Sequence, residues 1–421
     1  MTTSSTSPSP NAHTRITSCR ISPSTTLVPV LNLGEQAFTG IFPKDAATPV
    51  PSGPLELLWC PESGLLQLAH QFDLGAMYGD NYGYRSGLNQ SMVTHLGQKA
   101  RHLTAKANLS AGDVVLDIGS NDGTLLKSYA QPGLQRIGID PTGKKFASYY
   151  PPDIHLVPDF FAPKLFLEAT GGKSARLITS IAMFYDLERP IEFVKSIHHC
   201  LASDGLWHFE QSYMPSMLRT NAYDTVCHEH IEYYSLSTVV SILAAAGMRV
   251  IDVAMNAVNG GSFAVTAAKS ESSYQPNRAV IDWLLETESR MGLHTPRPFR
   301  DFEERVFEHR RSLTELIRSL RADGKKVFGY GASTKGNVLL QFCGFTEKDI
   351  QCVAEVNPDK YGCVTPGTHI PIVSEQEARA MKPDYMLVLP WHFKPGILNR
   401  EADYLASGGH LIFPMPEIEI V

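Results

Sequence analysis

Short apolar runs alternate with amphipathic stretches along most of this chain. Between residues 114 and 268, strand-like runs such as 177–181 and 205–210 alternate with segments of helical spacing. This alternation predicts a mostly parallel sheet covered by helices. Residues 91–109 have the 3.6-residue apolar period of a helix and precede the first of these strands.

Two further regions flank this part of the chain. Residues 27–74 contain short apolar strands broken by proline and glycine, which predicts a small β-rich module. The polar segment 270–277 predicts a boundary, and a long charged helix is predicted over 299–322. A second βα domain is then predicted from further strand-like runs, at 325–330, 352–355, 385–389 and 410–413.

Length and charge narrow the class of protein. A chain of 421 residues is too long for one ordinary core, so we expect two or three domains. A formal net charge of -6 argues against nucleic-acid binding, and the absence of a long apolar run argues against a membrane span or a secretion signal. Seven scattered cysteines without a C-x-x-C pair suit reduced thiols, so a cytoplasmic location is expected.

The most informative segment begins the predicted parallel sheet. Residues 114–123 read VVLDIGSNDG, a buried strand that ends in Asp117 and a glycine-rich turn. Glycine lets the backbone approach a ligand closely, and Asp117 can hold a cationic amine. A second apolar strand, 136–140, ends in Asp140, where a ribose diol is usually bound. The pattern is typical of methyltransferases that use S-adenosylmethionine, and any doubly wound βαβ unit with a tight turn is the alternative.

A polar cluster follows the strand that ends at Glu210. Residues 223–234 read YDTVCHEHIEYY and combine several proton-transfer groups. An enzyme that removes a proton from carbon needs a base with a pKa near working pH, which imidazole supplies, and Glu229 can orient or tune it. Two other interpretations stay open: His228 and His230 as a metal pair, or ordinary hydrogen-bonded residues.

Three other loops carry polar groups beside predicted strands. Residues 259–262 (NGGS) can close over a substrate, and residues 78–87 offer phenols, a guanidinium and a hydroxyl or serve as a packing hinge. Residues 329–336 (GYGASTKG) place backbone amides and the ammonium of Lys335 at a helix start, which favours anions. A tight structural turn is the alternative for this last loop.

Taken together, these motifs resemble the sugar C-methyltransferase family, which adds a branch methyl to C3 of nucleotide-linked 4-keto-6-deoxyhexoses. The resemblance extends from Cys19 onward. Its motifs are Tyr82-x-Tyr84-x-Ser86, the Asp117 loop, His228-Glu229-His230, Gly260-Gly261-Ser262, and Gly329-Tyr-Gly-Ala with Lys335-Gly336-Asn337.

The resemblance implies an α/β fold in three parts. These are a small β-rich N-terminal module, a central Rossmann-like class I S-adenosylmethionine methyltransferase domain and a C-terminal Rossmann-like βα domain. We expect a disordered tail over 1–18, a degenerate zinc-module-like domain over 19–75, the methyltransferase domain over 76–270, and the C-terminal domain over 271–421 with its helical lead-in.

The resemblance also implies the site. The base is the second histidine of the triplet, His230, and the C-terminal domain helps to hold a nucleotide diphosphate. The predicted catalytic residues are His230, Glu229, His228, Tyr82 and Tyr84. The predicted cofactor residues are Asp117, Gly119, Ser120, Asn121, Gly123, Thr124, Asp140 and Ser180. The predicted substrate residues are Arg85, Ser86, Tyr185, Asn259, Gly261, Ser262, Gly331, Lys335 and Asn337.

The chain departs from the family at the N-terminal module, where members carry C-x-x-C twice. Here the pairs read Cys19-Arg-Ile-Ser22 and Cys60-Pro-Glu-Ser63. Two thiolates cannot complete the closed tetrahedral site of structural zinc, so little or no tightly bound zinc is expected.

Two further departures lie near the predicted site. The histidine that the family usually places after the strand at residue 178 is absent, and Tyr185 or Asp186 could take its place. Cys227 stands where better-known members have tyrosine.

The expected reaction is C-methylation of a nucleotide-linked keto-deoxysugar next to its carbonyl, through an enolate formed by His230. The expected cofactor is S-adenosylmethionine, and the expected partner is a small-molecule substrate. Two alternatives stay open: O- or N-methylation of a sugar or natural product, and non-catalytic nucleotide binding.

Overall fold

In the part of the chain that the structure describes, the strands form four sheets, one of which is a two-stranded ribbon. The structure, a computed structural model, describes residues 13–72 and 84–421. The strands are β1 (His13–Arg15), β2 (Val28–Ala37), β3 (Ser52–Trp59), β4 (Leu66–Leu68), β5 (His70–Phe72), β6 (Val114–Ile118), β7 (Gln135–Ile139), β8 (Ile154–Val157), β9 (Ala175–Ile181), β10 (Leu201–Ser212), β11 (Glu232–Tyr233), β12 (Met248–Asn256), β13 (Ser262–Lys269), β14 (Val327–Tyr330), β15 (Val353–Glu355), β16 (Ile372–Ser374), β17 (Tyr385–Val388), β18 (His410–Phe413) and β19 (Glu419–Ile420).

Helices cover the sheets and connect the parallel strands. They are α1 (Gln90–Lys106), α2 (Thr124–Lys127), α3 (Gly143–Phe146), α4 (Pro163–Thr170), α5 (Pro190–Cys200), α6 (Met214–Thr220), α7 (Leu236–Ala245), α8 (Arg278–Met291), α9 (Arg297–Ala322), α10 (Thr334–Cys343), α11 (Glu375–Ala380), α12 (Lys394–Arg400) and α13 (Ala402–Ala406). Among the described residues, none of the helices is long and apolar enough to cross a bilayer.

The central sheet has seven strands in the order β12-β13-β10-β9-β6-β7-β8. The strands from β10 to β8 pair in parallel, and β13 lies antiparallel between β10 and β12. Strand β6 is buried at every position, as expected for a strand covered on both faces. This topology confirms the predicted class I methyltransferase fold. A ligand crevice is expected at the carboxyl ends of β6 and β9, because the strand order reverses between these two neighbours.

The C-terminal sheet has six strands in the order β16-β15-β14-β17-β18-β19. All of its pairs are parallel except the last, between β18 and β19. The order runs outward in both directions from β14, which precedes the second glycine-rich loop. The predicted C-terminal Rossmann-like fold is therefore confirmed.

The N-terminal sheet is antiparallel, in the order β11-β4-β3-β2, and includes one strand from outside its own segment. Strand β11 lies directly after the His-Glu-His triplet, and Glu232 pairs with Gln67 of β4. A boundary drawn at residue 75 therefore misses the strand by which the central part of the chain completes the N-terminal sheet.

The predicted disordered tail, 1–18, needs a correction at its carboxyl end. Strand β1 pairs with β5, so residues 13–15 lie in a strand rather than in a disordered tail. The Arg15 guanidinium binds both carboxylate oxygens of Glu56, at 2.5 and 3.0 Å. This pairing depends on residues distant in sequence, which local composition does not reveal.

One apolar core extends through three parts of the chain. It contains Leu57 of the N-terminal sheet, Tyr223 of the predicted catalytic cluster, Phe302 of α9 and Leu387 of the C-terminal sheet. Because these side chains pack in one continuous cluster, the predicted catalytic segment shares a core with the N-terminal module and the C-terminal domain.

Candidate functional site

The first glycine-rich loop follows β6 at the carboxyl edge of the central sheet. Gly119 and Gly123 have φ angles of 72° and 73°, a conformation that favours glycine. A Cβ on Gly119 would lie 3.2 Å from the side chain of Met183, and one on Gly123 would lie 3.1 Å from the Tyr150 ring. The loop therefore forms a backbone cradle at both predicted positions.

Asp140 fixes this loop from the end of β7. Its Oδ2 accepts a hydrogen bond from Asn121 N at 2.7 Å, and its Oδ1 accepts bonds from the amide and hydroxyl of Thr142 at 2.6 and 2.5 Å. The Ser120 hydroxyl lies 2.8 Å from the hydroxyl of Tyr150. The structure thus brings together three predicted cofactor residues, Asp140, Asn121 and Ser120.

Asp117 and Ser180 both lie beneath this loop. Asp117 Oδ1 accepts a bond from the Thr179 hydroxyl at 2.6 Å, and burial raises the pKa of Asp117 to about 7. Ser180 is fully buried, and its Oγ accepts a bond from the Trp207 indole at 3.2 Å. Thr124 is also buried and donates its hydroxyl to Asp122. Each of these side chains is hydrogen-bonded to another residue of the protein, and together they support the loop from below.

The segment before α1 lies over the same loop. Ser86 N donates to Asn121 Oδ1 at 2.9 Å, and Gly87 N donates to Asp122 Oδ2 at 3.0 Å. Asn121 Nδ2 in turn donates to the Tyr84 carbonyl at 3.2 Å. The predicted motif around Ser86 is thus placed against the glycine-rich loop.

Other members of that motif lie at the rim. The Arg85 guanidinium lies 4.3 Å from the centre of the Tyr149 ring, and the Tyr84 side chain is 47% exposed. Tyr82, the other predicted tyrosine, lies outside the described residues.

The imidazole of His230 is held in place by a hydrogen bond and a ring contact. Its Nδ1 donates to the Thr225 carbonyl at 2.9 Å, and its ring centre lies 4.2 Å from that of Tyr185. Burial, together with the positive charge of Lys335, lowers the pKa of His230 to about 4. The ring is therefore neutral near neutral pH, with Nε2 as its basic nitrogen, and it remains partly exposed.

One short turn connects the glycine-rich loop to this imidazole. Residues 182–185 follow β9, and Met183 faces Gly119 while Tyr185 packs on His230. The Tyr185 carbonyl also accepts a bond from Ile231 N at 3.1 Å. The predicted cofactor loop and the predicted base therefore lie on opposite sides of the same turn.

His228, the first histidine of the triplet, points into the N-terminal module. Its Nε2 donates to the Gly53 carbonyl at 3.0 Å, and its ring centre lies 4.6 Å from Phe38 and 4.8 Å from Phe72. The residue is only 1% exposed, and burial lowers the pKa of His228 to about 4. Its contacts anchor the triplet, whereas His230 lies at the crevice.

The N-terminal module also contacts Glu229 and the segment after it. A Cβ on Gly40 would lie 3.1 Å from Glu229 Oε1. The Cys227 thiol is hydrogen-bonded to the same carboxyl group. Burial raises the pKa of Glu229. Leu68 N donates to the Ile231 carbonyl at 2.9 Å, directly after the base. The module therefore positions the whole triplet.

A polar cluster around Lys335 lies where the central and C-terminal domains meet. Lys335 Nζ donates to the Asn259 carbonyl at 2.7 Å, and the Trp391 indole donates to Asp224 Oδ2 at 2.8 Å. Burial lowers the pKa of Lys335, opposed by the charge of Asp224. Burial and the charge of Lys335 also lower the pKa of His392 to about 3. Because the charge of Lys335 lowers the pKa of both His392 and His230, these three side chains lie close to one another.

Several buried polar atoms at this crevice have no hydrogen-bond partner among the described residues. They are Asp224 Oδ1, Thr225 Oγ1, His392 Nδ1 and Asn337 Oδ1. Asn337 uses its other amide atom, Nδ2, to donate to the Thr39 carbonyl at 2.8 Å. Unpaired buried polar atoms require water or a ligand, so the crevice suits a polar molecule.

The Asn-Gly-Gly-Ser turn packs against the C-terminal domain. A Cβ on Gly260 would lie 3.0 Å from Trp391, and one on Gly261, whose φ is 123°, would lie 2.9 Å from Ser216. The Ser262 hydroxyl donates to the Val258 carbonyl at 2.9 Å. The turn is therefore closed by its own bonds and presents the Asn259 carbonyl to Lys335.

The second glycine-rich loop is held by an acid of its own domain. Gly331 has a φ of 79°, and a Cβ there would lie 2.9 Å from Pro390. Glu355, at the end of β15, accepts bonds from Ala332 N at 2.8 Å and Val356 N at 2.7 Å. In dinucleotide-binding domains an acid at this place binds a ribose. Here the Glu355 carboxylate hydrogen-bonds the loop itself, as Asp140 does in the first glycine-rich loop.

The four positions of the family's zinc site meet in the N-terminal module. Cys19 Sγ lies 3.2 Å from Ser63 Oγ, and Ser22 Oγ lies 3.9 Å from Cys60 Sγ. Across the described part of the chain, no group of three or more histidine, cysteine, aspartate or glutamate side chains could hold a metal. Two thiols and two hydroxyls do not fit structural zinc, which requires four good ligands.

We therefore expect the purified protein to contain far less than one zinc per chain. Restoring both thiols with Ser22→Cys and Ser63→Cys should raise the zinc content toward one, because the four positions already converge. Inductively coupled plasma mass spectrometry on protein purified without added metal measures both values. Stoichiometric zinc in the unmodified chain would contradict the expectation.

The sequence did not single out several residues that the structure places at the crevice. They are His95, Met183, Glu210, Trp391 and His392. The sequence does contain a signal for His95, because this residue lies on the charged face of a helix whose apolar period is clear. The others come from separate strands and turns, and no local motif marks them.

Three family models match the chain in consecutive segments. A zinc binding domain matches residues 19–78, a methyltransferase domain matches 92–253, and a C-methyltransferase C-terminal domain matches 257–416. Among curated proteins, the chain is similar to C-methyltransferase NovU of Streptomyces niveus, with 32% identity over 369 residues that cover 87% of each protein.

Solved structures of methyltransferases resemble the chain more distantly. The 1,6-didemethyltoxoflavin-N1-methyltransferase of Burkholderia thailandensis, solved with bound S-adenosylhomocysteine, has 16% identity and a TM-score of 0.34, covering 44% of this chain and 83% of its own. The magnesium protoporphyrin IX methyltransferase of Synechocystis has 14% identity and a TM-score of 0.33, covering 46% and 91%. These similarities are too low to define the fold, which is defined instead by the strand order of the molecule itself.

Proposed function

Because the chain belongs to the C-methyltransferase family, we propose that this S-adenosylmethionine-dependent methyltransferase C-methylates a nucleotide-linked keto-deoxysugar next to its carbonyl. The observation that supports the proposal best is the turn 182–185. It brings the glycine-rich loop and the imidazole of His230 to the two sides of one crevice.

The residues of the glycine-rich loop suit the cofactor. Gly119 and Gly123 provide a backbone cradle that a Cβ would obstruct, and Asp140 lies where a ribose would be bound. Asp117, beneath the loop, supports it through Thr179. When bound, S-adenosylmethionine supplies an electrophilic methyl group.

His230 is the proposed base. Its Nδ1 hydrogen bond to Thr225 fixes the tautomer, so Nε2 is the nitrogen that takes a proton from the carbon next to the substrate carbonyl. That proton is acidic because its loss gives an enolate, and the enolate carbon is the nucleophile for the methyl group. Tyr185 packs on the imidazole and keeps its plane in place, so that Nε2 is already positioned to remove the proton.

The cluster around Lys335 is the proposed site for the nucleotide diphosphate. Lys335 supplies an ammonium, and the unpaired Nδ1 of the neutral His392 ring can donate a hydrogen bond when it carries the proton. A phosphate close to Lys335 would offset its charge. Since that charge lowers the pKa of His230, an anionic substrate would strengthen the base as it binds.

A screen of thymidine-, GDP- and UDP-linked keto sugars tests this function. We expect a mass increase of one methyl with labelled S-adenosylmethionine, and a carbon-bound methyl signal in the NMR spectrum of the product. A methyl group on oxygen or nitrogen would contradict C-methylation. Calorimetric titration with S-adenosylmethionine and S-adenosylhomocysteine tests the enzyme itself, since a failure to bind either would indicate a non-catalytic protein.

A further inference from the structure

A second imidazole lies near the turn 182–185, through its contact with Glu210. His95, on α1, donates from Nε2 to Glu210 Oε1 at 2.6 Å. We propose that His95, protonated on both nitrogens with Nε2–H donated to Glu210, donates its Nδ1–H to the acceptor oxygen that becomes negative when His230 removes the proton. This inference rests on the proposed function and adds a group to its site.

The surroundings of Glu210 place this pair at the crevice. The Glu210 carbonyl accepts a bond from Ala182 N at 2.7 Å, and Ala182 precedes Met183 in the turn that faces the glycine-rich loop. The Glu210 carboxylate also accepts a bond from Asn256 Nδ2 at 2.7 Å, at the end of the strand that leads into the Asn-Gly-Gly-Ser turn. The pair therefore lies between the cofactor loop and the turn that contacts Lys335.

The start of α1 gives an independent placement. The segment directly before this helix is bonded to the cofactor loop through Ser86 and Gly87. His95 lies in the second turn of the helix, so it is still near the carboxyl edge of the sheet. Farther along the helix, Lys106 pairs with Asp252, well below the edge.

The hydrogen bonds fix the orientation of the imidazole. A carboxylate only accepts, so the Nε2 of His95 carries the proton in its bond to Glu210. Lys99 Nζ binds the second oxygen of Glu210 at 2.8 Å and also lies 3.0 Å from His208 Nε2. Burial acts to raise the pKa of Glu210, but His95 and Lys99 outweigh it, and the net direction is downward. Glu210 is thus an anion whose two oxygens are shared between His95 and Lys99.

Packing alone does not account for His95. Glu210 is 3% exposed and already has Lys99 as a counter-charge and Asn256 as a donor. The His95 side chain keeps 21% of its surface exposed, and no bond to its Nδ1 is seen in residues 13–72 and 84–421. A donor aimed at the place where negative charge develops is the arrangement that stabilises enolates and oxyanions.

His95→Gln separates this role from a structural one, because the glutamine amide can still donate to Glu210 but has no second nitrogen. The assay uses the acceptor that the nucleotide-sugar screen shows to be methylated. We expect kcat to fall about 10²-fold, with α-hydrogen exchange slowed and S-adenosylmethionine affinity and thermal midpoint unchanged. His102→Gln, at an exposed histidine on the same helix, is the matched control and should behave like wild type.

Wild-type kcat in His95→Gln would overturn the inference. His230→Asn, measured in parallel, keeps the two proposals apart. If that variant loses exchange while His95→Gln keeps full turnover, the proposed base stands and the role of His95 falls. If exchange persists without His230 but turnover falls in His95→Gln, the opposite conclusion holds.

Discussion

Replacing His230 with asparagine is expected to lower methyl transfer by about 10²-fold to 10⁴-fold, the usual contribution of a general base. The asparagine amide can keep the hydrogen bond to the Thr225 carbonyl, so the loop should retain its geometry. What it loses is Nε2, the nitrogen that would take the proton. Turnover is measured with labelled S-adenosylmethionine and the methylated acceptor identified in the screen.

The same variant should lose exchange of the substrate's α-hydrogen with deuterated water, because exchange needs the base but no methyl group. Exchange is followed by NMR in the presence of S-adenosylhomocysteine. His294→Asn, at an exposed histidine between α8 and α9, controls for a general effect of the substitution. Undiminished exchange in His230→Asn would remove His230 from the role of base.

The parts of the fold that local sequence determines could be predicted. The apolar run ending at Asp117 forms β6, and the periodic segment that contains His95 forms α1 over Gln90–Lys106. The charged helix predicted over 299–322 is α9. In each case neighbouring residues alone supply the pattern, through strand burial or helical periodicity.

Contacts between distant segments could not be predicted. Strand β11 has only two residues, too few for any periodic signal. Its pairing depends on the edge of β4 that does not pair with β3. His95 and Glu210 are 115 positions apart, and their bond exists only because α1 packs across β10. The family resemblance predicted His230 as the base, whereas its hydrogen bond to Thr225 and the nearby charge of Lys335 became clear only from the geometry.

The N-terminal module contacts the His-Glu-His triplet through groups other than the four zinc-site positions. It supplies the carbonyl of Gly53 and the rings of Phe38 and Phe72 to His228, and its sheet accepts β11 just after the base. These contacts come from backbone and apolar side chains. A chain that has two serines in place of zinc-site cysteines can therefore still hold its catalytic cluster, provided that the module stays folded.

Replacing Lys335 with methionine is expected to raise KM for the nucleotide sugar roughly 10-fold to 100-fold, the cost of losing one charged hydrogen bond. Lys335→Arg should retain most of the affinity because it retains the charge. Lys348→Met, at an exposed lysine of the same domain, is the matched control and should leave KM unchanged. Initial rates at varied nucleotide-sugar concentration measure the effect, and an unchanged KM in Lys335→Met would contradict a role in holding the diphosphate.

The same substitution should also change the pH profile. The positive charge of Lys335 helps to lower the pKa of His230 to about 4, so its removal raises that pKa. Activity requires the neutral imidazole and is lost as pH falls through this pKa. The acid limb of kcat/KM should therefore move to higher pH in Lys335→Met and stay in place in Lys335→Arg, because only the first variant removes the charge. An acid limb that does not move in Lys335→Met would show that Lys335 and the base are not coupled, and that anion binding does not strengthen His230.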